Sequence, residues 1–275
     1  MNVRRLERAA WAAAQWLAMA VLAFVILVPI YWMMSAAFKD LVDIYAGRWT
    51  FAPTLKNFQM IFSPRYAMQE KFLTSLIVAV GTVALAVPLS LLAAYGFSRF
   101  RLTGERSMMV MILATQFVPG IVIVLPYFLL FREVGLYDTR LGLVLVNLSV
   151  VMPFAVWLIK GFIDRIPTDI DESALVDGAT RWQIVVHHIL PLAMPGLVTA
   201  SVFGFILTWN DFNYSIILTS KAAVTLPVGM AMFSAEEGDL WHLIAATAVL
   251  VMIPMFLFAS VMQKHLSTGS AGAVR

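Results

Sequence analysis

Six long runs of apolar residues constrain this chain more than any other feature of its sequence. A helix needs about 20 mostly apolar residues to cross the hydrocarbon core of a bilayer, and each run is long enough to do so. The runs lie at 11–34, 72–97, 107–131, 141–163, 196–218 and 242–262. Apolar residues are continuous within each run and do not alternate with polar ones, which indicates membrane-spanning helices and argues against barrel strands.

The composition excludes a soluble protein. Of the 275 residues, 61% are hydrophobic and 13% are charged, whereas soluble domains have about 45–50% apolar and about 25% charged residues. A water-soluble globule has too little interior for so much apolar surface. The chain has no cysteine, which excludes disulfides, thiolate metal sites and a cysteine nucleophile. We predict an all-α integral membrane protein with six transmembrane helices in one domain over residues 1–275.

The distribution of basic residues predicts the orientation. Six crossings place both termini on one side of the membrane, together with the loops near 99–106 and 160–181. These segments hold 11 of the 19 Lys and Arg residues, and an excess of Lys and Arg in short loops marks the cytoplasmic side. We therefore expect both termini to be cytoplasmic. The first run is too long for the apolar part of a secretory signal, so we expect it to remain as the first span.

Motifs for catalysis are missing, and few polar residues lie inside the apolar runs. There is no Gly-Lys pair for a phosphate-binding loop and no His-Glu-x-x-His pair for a metal. The polar residues of note within the runs include Gln116, Asn147, Asn210 and the carboxylate of Asp211. Each of them could line a path, and each could equally hydrogen-bond a neighbouring helix. Prolines inside five runs suit helices that bend around a cavity.

The loop over 164–195 carries the pattern of two short helices. Thr168 is placed to cap the first helix, and Gly178 to end it in the left-handed conformation. Thr180 can start the second helix, which we expect to end before Pro191. Acidic residues favourable in the first turn are Asp169, Asp171 and Glu172. The second helix has an apolar face at helical spacing, formed by Trp182, Val185, Val186 and Ile189.

Seven residues of this loop stand at the spacing of a known motif: Glu172, Ser173, Ala174, Asp177, Gly178, Leu190 and Pro191. With them the loop resembles the EAA motif in the permease subunits of bacterial ABC importers. Two positions depart from the motif: Ser173 stands at the second position, where alanine is usual, and His188 stands where isoleucine is common. Both departures are local and leave the pattern of the loop intact.

The resemblance extends over nearly the whole chain, to the carbohydrate-importer branch that includes the maltose permease G subunit. The segments that carry it lie at 53–58, 209–211, 226–229 and 263–275. It implies the type I ABC importer permease fold with cytoplasmic coupling helices, in the bacterial cytoplasmic membrane. It also implies that this chain has no catalytic residue, metal or cofactor of its own, with ATP and Mg bound by partner ATPase subunits.

The same resemblance implies the partners and the coupling residues, and the polar residues within the runs give the candidates for a path. The partners would be a second homologous permease, two ATPase subunits and a periplasmic or lipid-anchored binding protein for a sugar or related polyol, with no nucleic acid. Residues expected to couple to the ATPase are Glu172, Ser173, Ala174, Asp177, Gly178, His188, Leu190 and Pro191. Residues expected along the translocation path are Gln116, Asn147, Trp209, Asn210 and Asp211. The alternative is a proton-coupled secondary carrier that works as a homodimer through Asp211, which leaves the two-helix loop unexplained.

Overall fold

The computed structural model describes residues 3–100, 102–235 and 240–270, and within these ranges it contains helices and no strand. The helices are α1 (Val3–Ala36), α2 (Leu41–Tyr45), α3 (Lys56–Ile61), α4 (Met68–Arg99), α5 (Glu105–Ala114), α6 (Gly120–Glu133), α7 (Arg140–Ile163), α8 (Asp169–Val176), α9 (Arg181–Ile184), α10 (Leu190–Trp209), α11 (Asn213–Leu218), α12 (Leu226–Ala235) and α13 (Trp241–Ser270). A 3₁₀ turn follows α5, and a π-helical turn joins α9 to α10. The predicted all-α architecture is confirmed.

Four helical segments of the described chain are long and apolar enough to cross a membrane. They are Trp11–Ala36, Met68–Arg99, Arg140–Ile163 and Arg181–Trp209. α5 and α6 together would make a fifth, although they meet at 90°. The apolar part of α13, Trp241–Leu257, is shorter. That all six runs cross the bilayer stays a prediction.

The run at 107–131 is not the continuous helix that its apolar composition predicts. α5 gives way to the 3₁₀ turn at Thr115–Phe117, Val118 is extended with ψ at 120°, and α6 begins after Pro119. Proline disfavours helical geometry in the residue before it and has no N–H to donate. The break between Val118 and Pro119 therefore follows from covalent geometry, which a count of apolar residues does not register.

The run at 196–218 also differs from its predicted boundaries. The helical segment extends from Arg181 to Trp209, and a separate helix, α11, follows after a turn. The Asp211 carboxylate accepts hydrogen bonds from the backbone N–H groups of Tyr214 and Ser215, at 3.2 Å each. Because a carboxylate in this position satisfies the free donors of a new helix start, Asp211 divides the apolar run.

The described residues cluster into two compact units. The first holds the residues up to Ala67 together with Met230–Leu250, and the second holds Met68–Gly229 together with the residues from Val251 onward. These units are clusters of contacts within one chain, so the prediction of a single membrane domain stays a prediction.

In the first unit, buried polar groups organise the segment after α1. The amide of Asn57 is buried and donates to the carbonyls of Ala37 and Lys39, at 2.9 Å each. The Lys39 ammonium lies 4.1 Å from the ring centre of Trp32 and 4.7 Å from that of Phe51. Burial lowers the pKa of Lys39, and the nearby charge of Asp43 opposes this shift. Aromatic rings thus replace water around this cation.

In the second unit, α4, α7 and α10 pack closely together. Its main core includes Val87, Leu91, Ala155, Ile159, Ala193 and Leu197. Two glycines of α10 permit this approach, because an added Cβ at Gly204 would lie 2.8 Å from Val151 and one at Gly196 would lie 2.6 Å from Phe162. Small residues at such crossings allow helices in membranes to pack at short range.

Candidate functional site

The predicted helix–glycine–helix pattern of the loop is present in the structure. Gly178 follows α8 with φ at +84°, in the left-handed region that a residue with a β-carbon occupies only at a cost. Thr180 then starts α9 with a reciprocal cap: its hydroxyl accepts from the N–H of Gln183, and the Gln183 side chain accepts from the N–H of Thr180. Local residue chemistry therefore builds the turn.

The cap predicted at Thr168 is wrong. Thr168 occupies the position before α8, but its backbone is helical, with φ at −64° and ψ at −24°, and its side chain makes no capping bond. A capping hydroxyl needs an extended backbone at this position to reach the N–H groups ahead of it. The first turn is closed instead by a bond from the N–H of Ile170 to the carbonyl of Pro167.

The second helix of the loop does not end before Pro191, as predicted, but continues into α10. A π-helical turn over Val185–Ile189 lies directly before the proline. Such a turn holds one extra residue, which displaces the carbonyl that a proline ring would meet one turn earlier. The end of the loop and α10 are therefore one continuous helical segment from Arg181 to Trp209.

Most of the residues predicted to couple to an ATPase lie on the surface of the second unit. Exposed positions are Glu172, Ser173, Asp177, Gly178, His188 and Pro191. Leu190 is half-buried, and Ala174 is only 6% exposed and belongs to the core of this chain. Ala174 was also predicted to couple to the ATPase, but its side chain packs against the core of this chain.

Two apolar side chains next to these residues are exposed, and sequence analysis did not assign either to a docking surface. Val176 is 87% exposed and Trp182 is 64% exposed. The apolar face predicted for the second helix is thus divided, because Val185 and Ile189 are buried while Trp182 points outward. The described residues thus leave two large apolar side chains of the loop uncovered, next to exposed charged ones.

Sequence analysis also missed a buried ion pair beneath the loop. The Arg99 guanidinium lies 2.9 Å from the carboxylate of Asp171, and the two side chains are 5% and 4% exposed. The hydroxyl of Tyr95 donates to the other carboxylate oxygen at 2.8 Å. No local pattern signals this contact, since the paired residues are 72 positions apart.

A cavity of about 650 Å³ lies beside the break between α5 and α6. Its polar and aromatic lining residues include Thr115, Gln116, Tyr127, Ser149, Asn213 and Tyr214. The side chain of Gln116 donates weakly to Thr115 and to the carbonyl of Ser149. Of the residues predicted along a path, Gln116 is the one that lines this cavity.

The other predicted path residues are distributed differently. Asn147 is buried and donates its side-chain amide to the carbonyl of Leu143 at 2.9 Å. Asp211 accepts from the hydroxyl of Ser215 at 2.8 Å. Trp209 is 1% exposed and donates its indole N–H to the carbonyl of Val251. Trp209 therefore faces the interior of the chain and not an open path. Asn210 is exposed.

A second carboxylate anchor lies at the opposite end of α7 from the loop. The carboxylate of Asp138 accepts from four consecutive backbone N–H groups, over residues 220–223, at 3.0–3.1 Å. Burial alone would raise the pKa of Asp138, but these four donors outweigh it and lower the pKa. Asp138 itself has a positive φ of 56°. No group of three or more potential metal ligands occurs among the described residues.

The model of one protein family, described as binding-protein-dependent transport system inner membrane component, matches residues 86–270. A diacetylchitobiose uptake system permease of Streptomyces coelicolor is 33% identical, with 93% of this chain and 95% of the relative covered. A trehalose transport system permease of Mycobacterium tuberculosis is 34% identical, with 90% and 92% covered.

A solved structure shares the fold. It is that of a bacterial ABC transporter involved in the import of the polysaccharide alginate, with a TM-score of 0.77, 21% sequence identity, and 94% of this chain and 97% of that chain covered. The predicted ABC importer permease fold is thereby confirmed.

Proposed function

This chain belongs to the family of binding-protein-dependent transport system inner membrane components, and from that premise we propose that it forms half of the translocation path of an ATP-driven importer for a sugar or related polyol. Members of the family are multi-pass proteins of the inner membrane. The substrate class is supported by relatives named for diacetylchitobiose and trehalose transport. The other half of the path would come from a second, homologous permease.

The exposed surface of the loop is the observation that carries the proposal. Glu172 presents a carboxylate, and Val176 and Trp182 present apolar groups that this chain leaves uncovered. A cleft on an ATPase subunit that has a basic residue and an apolar wall would complement this surface. ATP and Mg would be bound in that partner, and catalysis would occur there.

The connection of the loop to the membrane helices supplies the mechanism. α9 continues through the π turn into α10, so a displacement of the loop is carried along one helix. When ATP closes the two ATPase subunits, the docked loop would move with them. The two permeases would then rock and open a shared path to each side in turn.

The cavity beside the α5–α6 break supports a path for a polar solute. Hydroxyl and amide groups of Gln116, Ser149 and Asn213 suit the hydroxyls of a sugar, and the rings of Tyr127 and Tyr214 suit its C–H faces. We assign to Asp211 the shaping of this region, because it accepts a hydrogen bond from the N–H of Tyr214, which lines the cavity. That Asn147, Trp209 and Asn210 lie along the path stays a prediction. We also propose that both termini lie on the cytoplasmic side of the membrane.

The test is reconstitution of the complete complex in proteoliposomes. Uptake of a labelled disaccharide is expected to need both ATP and the external binding protein, and to survive a protonophore. Vesicles without the ATPase subunits are the control. Uptake that persists without ATPase subunits and collapses with the proton gradient would overturn the proposal in favour of a secondary carrier.

The carboxylate of Asp211 gives little support to that alternative. It accepts hydrogen bonds from two backbone N–H groups and the Ser215 hydroxyl at the start of α11. These bonds describe a structural cap. In the same vesicles, Asp211→Asn is expected to retain substantial ATP-driven uptake, because an amide oxygen can still accept a hydrogen bond.

A further inference from the structure

The ion pair between Arg99 and Asp171 joins the loop to a long apolar helix. Arg99 is the last residue of α4, and Asp171 lies in the first turn of α8. Their charged groups are 2.9 Å apart and almost fully buried. A buried ion pair is weak evidence for stability, because both charges lose their water, and fixing one arrangement of the chain is its better-attested use.

Each oxygen of the Asp171 carboxylate has its own donor on α4. Tyr95 donates to Oδ1 at 2.8 Å and Arg99 to Oδ2 at 2.9 Å. The two donors are four residues apart, so they lie on one face of the helix. Arg99 also donates through Nη2 to the carbonyl of Ile166 at 2.9 Å. One face of α4 therefore holds both α8 and the chain that leads into it.

The arrangement divides α8 into two faces with different contacts. Asp171 and Ala174 point inward and are buried, with Ala174 in the same core cluster as Tyr95. Glu172 and Val176 point outward and are exposed. The face available to a partner and the face attached to α4 are thus separate, and a substitution on one can leave the other intact.

We propose that Tyr95, Arg99 and Asp171 form a positioning link that transmits displacement of α8 to α4. The inference rests on the proposed function, in which the displacement comes from a docked ATPase. Apolar contacts alone are non-directional and let a short helix slide or turn. The paired hydrogen bonds fix its orientation, because a guanidinium presents its donors in a rigid plane.

The experiment measures substrate uptake and ATP hydrolysis in the same proteoliposomes, with the complete complex. Asp171→Asn keeps the shape of the side chain and removes its charge. We expect uptake per ATP hydrolysed to fall at least about fivefold, the lower end of common coupling effects, while the ATPase still co-purifies with the permease. Tyr95→Phe removes one hydrogen bond and is expected to cause a smaller fall in the same ratio.

Asp164→Asn is the matched control. This carboxylate also contacts the end of α4, through Ser98, but its side chain is 45% exposed. Because water weakens such exposed contacts, the control is expected to keep the wild-type ratio. A fall as large as that of Asp171→Asn would contradict a role specific to the buried link.

A double variant separates positioning from mere stability. Arg99→Met with Asp171→Leu removes both buried charges, which commonly preserves or restores stability. A positioning link predicts that membrane abundance returns while uptake per ATP stays low. Recovery of both quantities would overturn the inference and leave only a structural role.

The two proposals fail in distinguishable ways. If the wild-type complex shows ATP-driven uptake and Asp171→Asn accumulates with an unchanged ratio, the positioning link is wrong and the proposed function stands. If Asp171→Asn does not accumulate, uptake per ATP hydrolysed is measured in Arg99→Lys and Tyr95→Phe instead. A fall in this ratio supports the positioning link, and an unchanged ratio contradicts it. Absence of ATP-driven uptake in the wild type would remove the basis of both proposals.

Discussion

The two ends of α7 face loops that are held by carboxylates in different ways. The 24 residues of this helix span about 36 Å. At its start, Asp138 accepts hydrogen bonds from the backbone N–H groups of residues 220–223. Beyond its end, Asp171 binds side chains of α4. The first arrangement fixes the shape of a loop, whereas the second fixes the position of a short helix relative to a long one.

This difference indicates different tasks for the two ends. A carboxylate surrounded by backbone donors makes one rigid loop conformation. A carboxylate held by an arginine on another helix makes a joint between two bodies that can transmit force. The region around Asp171 also leaves Val176 and Trp182 exposed. If coupling is confined to this end, variants here should lower substrate uptake and matched variants at the other end should not.

The largest effect is expected for Gly178→Leu. Its φ of +84° is strained for any residue with a β-carbon, at a cost of roughly 1–2 kcal/mol, or about 5- to 30-fold in the population of the required turn. Ample space surrounds the position, with no atom within 4 Å of an added Cβ. We therefore expect normal insertion and a severe loss of ATP-driven uptake, measured together with membrane abundance.

Gly135→Leu is the comparison for this change at the other end of α7. Gly135 has a similar φ of +73° and equally open surroundings, so the same backbone strain is introduced. We expect ATP-driven uptake, relative to membrane abundance, to remain near the wild-type value. Equal loss in the two variants would mean that the turn at Gly178 has no special part in coupling.

The second effect concerns Asp138. Asp138→Ala removes the acceptor for four N–H groups and also strains a backbone with φ at 56°. Hydrogen bonds to a charged group are worth about 1.5–3 kcal/mol each, and not additively, so we expect a local destabilisation on the order of 2–3 kcal/mol. Faster amide exchange of residues 220–223, measured by mass spectrometry, would report it.

Asp138→Asn refines that result, because asparagine tolerates a positive φ and keeps one acceptor oxygen. We expect it to lie between wild type and Asp138→Ala. Exchange at α8 is expected to be unchanged in both variants. Altered exchange there would show that the two ends of α7 are coupled after all.

The extent to which sequence predicted these features depends on the range of the interactions. The turn at Gly178 and the cap at Thr180 depend on neighbours within about four residues, and their pattern is readable. The Arg99–Asp171 pair depends on how α4 packs against the loop, and no local sequence pattern indicates that packing. The Asp138 anchor likewise joins residues more than 80 positions apart.

The membrane helices show the same limit. Apolar length predicted the existence of long helices, since burial or lipid contact demands it. It did not predict the break at Pro119 or the new helix start that follows Asp211, where a single residue changes the backbone hydrogen bonding. At both places a local rule for proline or for capping was present in the sequence and outweighed the apolar composition.

A smaller effect is expected for Glu172→Lys, which reverses a charge on the exposed face of α8. Exposed ion pairs contribute about 0.2–1 kcal/mol, so the ATPase should dissociate somewhat faster without full loss of the complex. Co-purification in increasing salt measures this. A reciprocal charge change on the ATPase should partly restore assembly, whereas Glu133→Lys, at the exposed end of α6, should have no effect.

The smallest effect is a pH dependence of local stability, confined to the loop that Asp138 holds at the start of α7. The pKa of Asp138 is lowered in the folded chain by four backbone donors, so folding favours its ionised form. The resulting stabilisation is complete above the unfolded pKa of about 3.9 and is lost as the pH falls through the lower folded pKa. We expect proteolysis at residues 220–223, or their amide exchange after correction for its intrinsic pH dependence, to increase as the pH is lowered from about 6 to about 3. The interior amides of α10 serve as internal reference.

In Asp138→Asn, which cannot titrate at this position, the same segment should show no such increase. An equal pH response in the variant would assign the change to another group and remove the contrast between the two anchors.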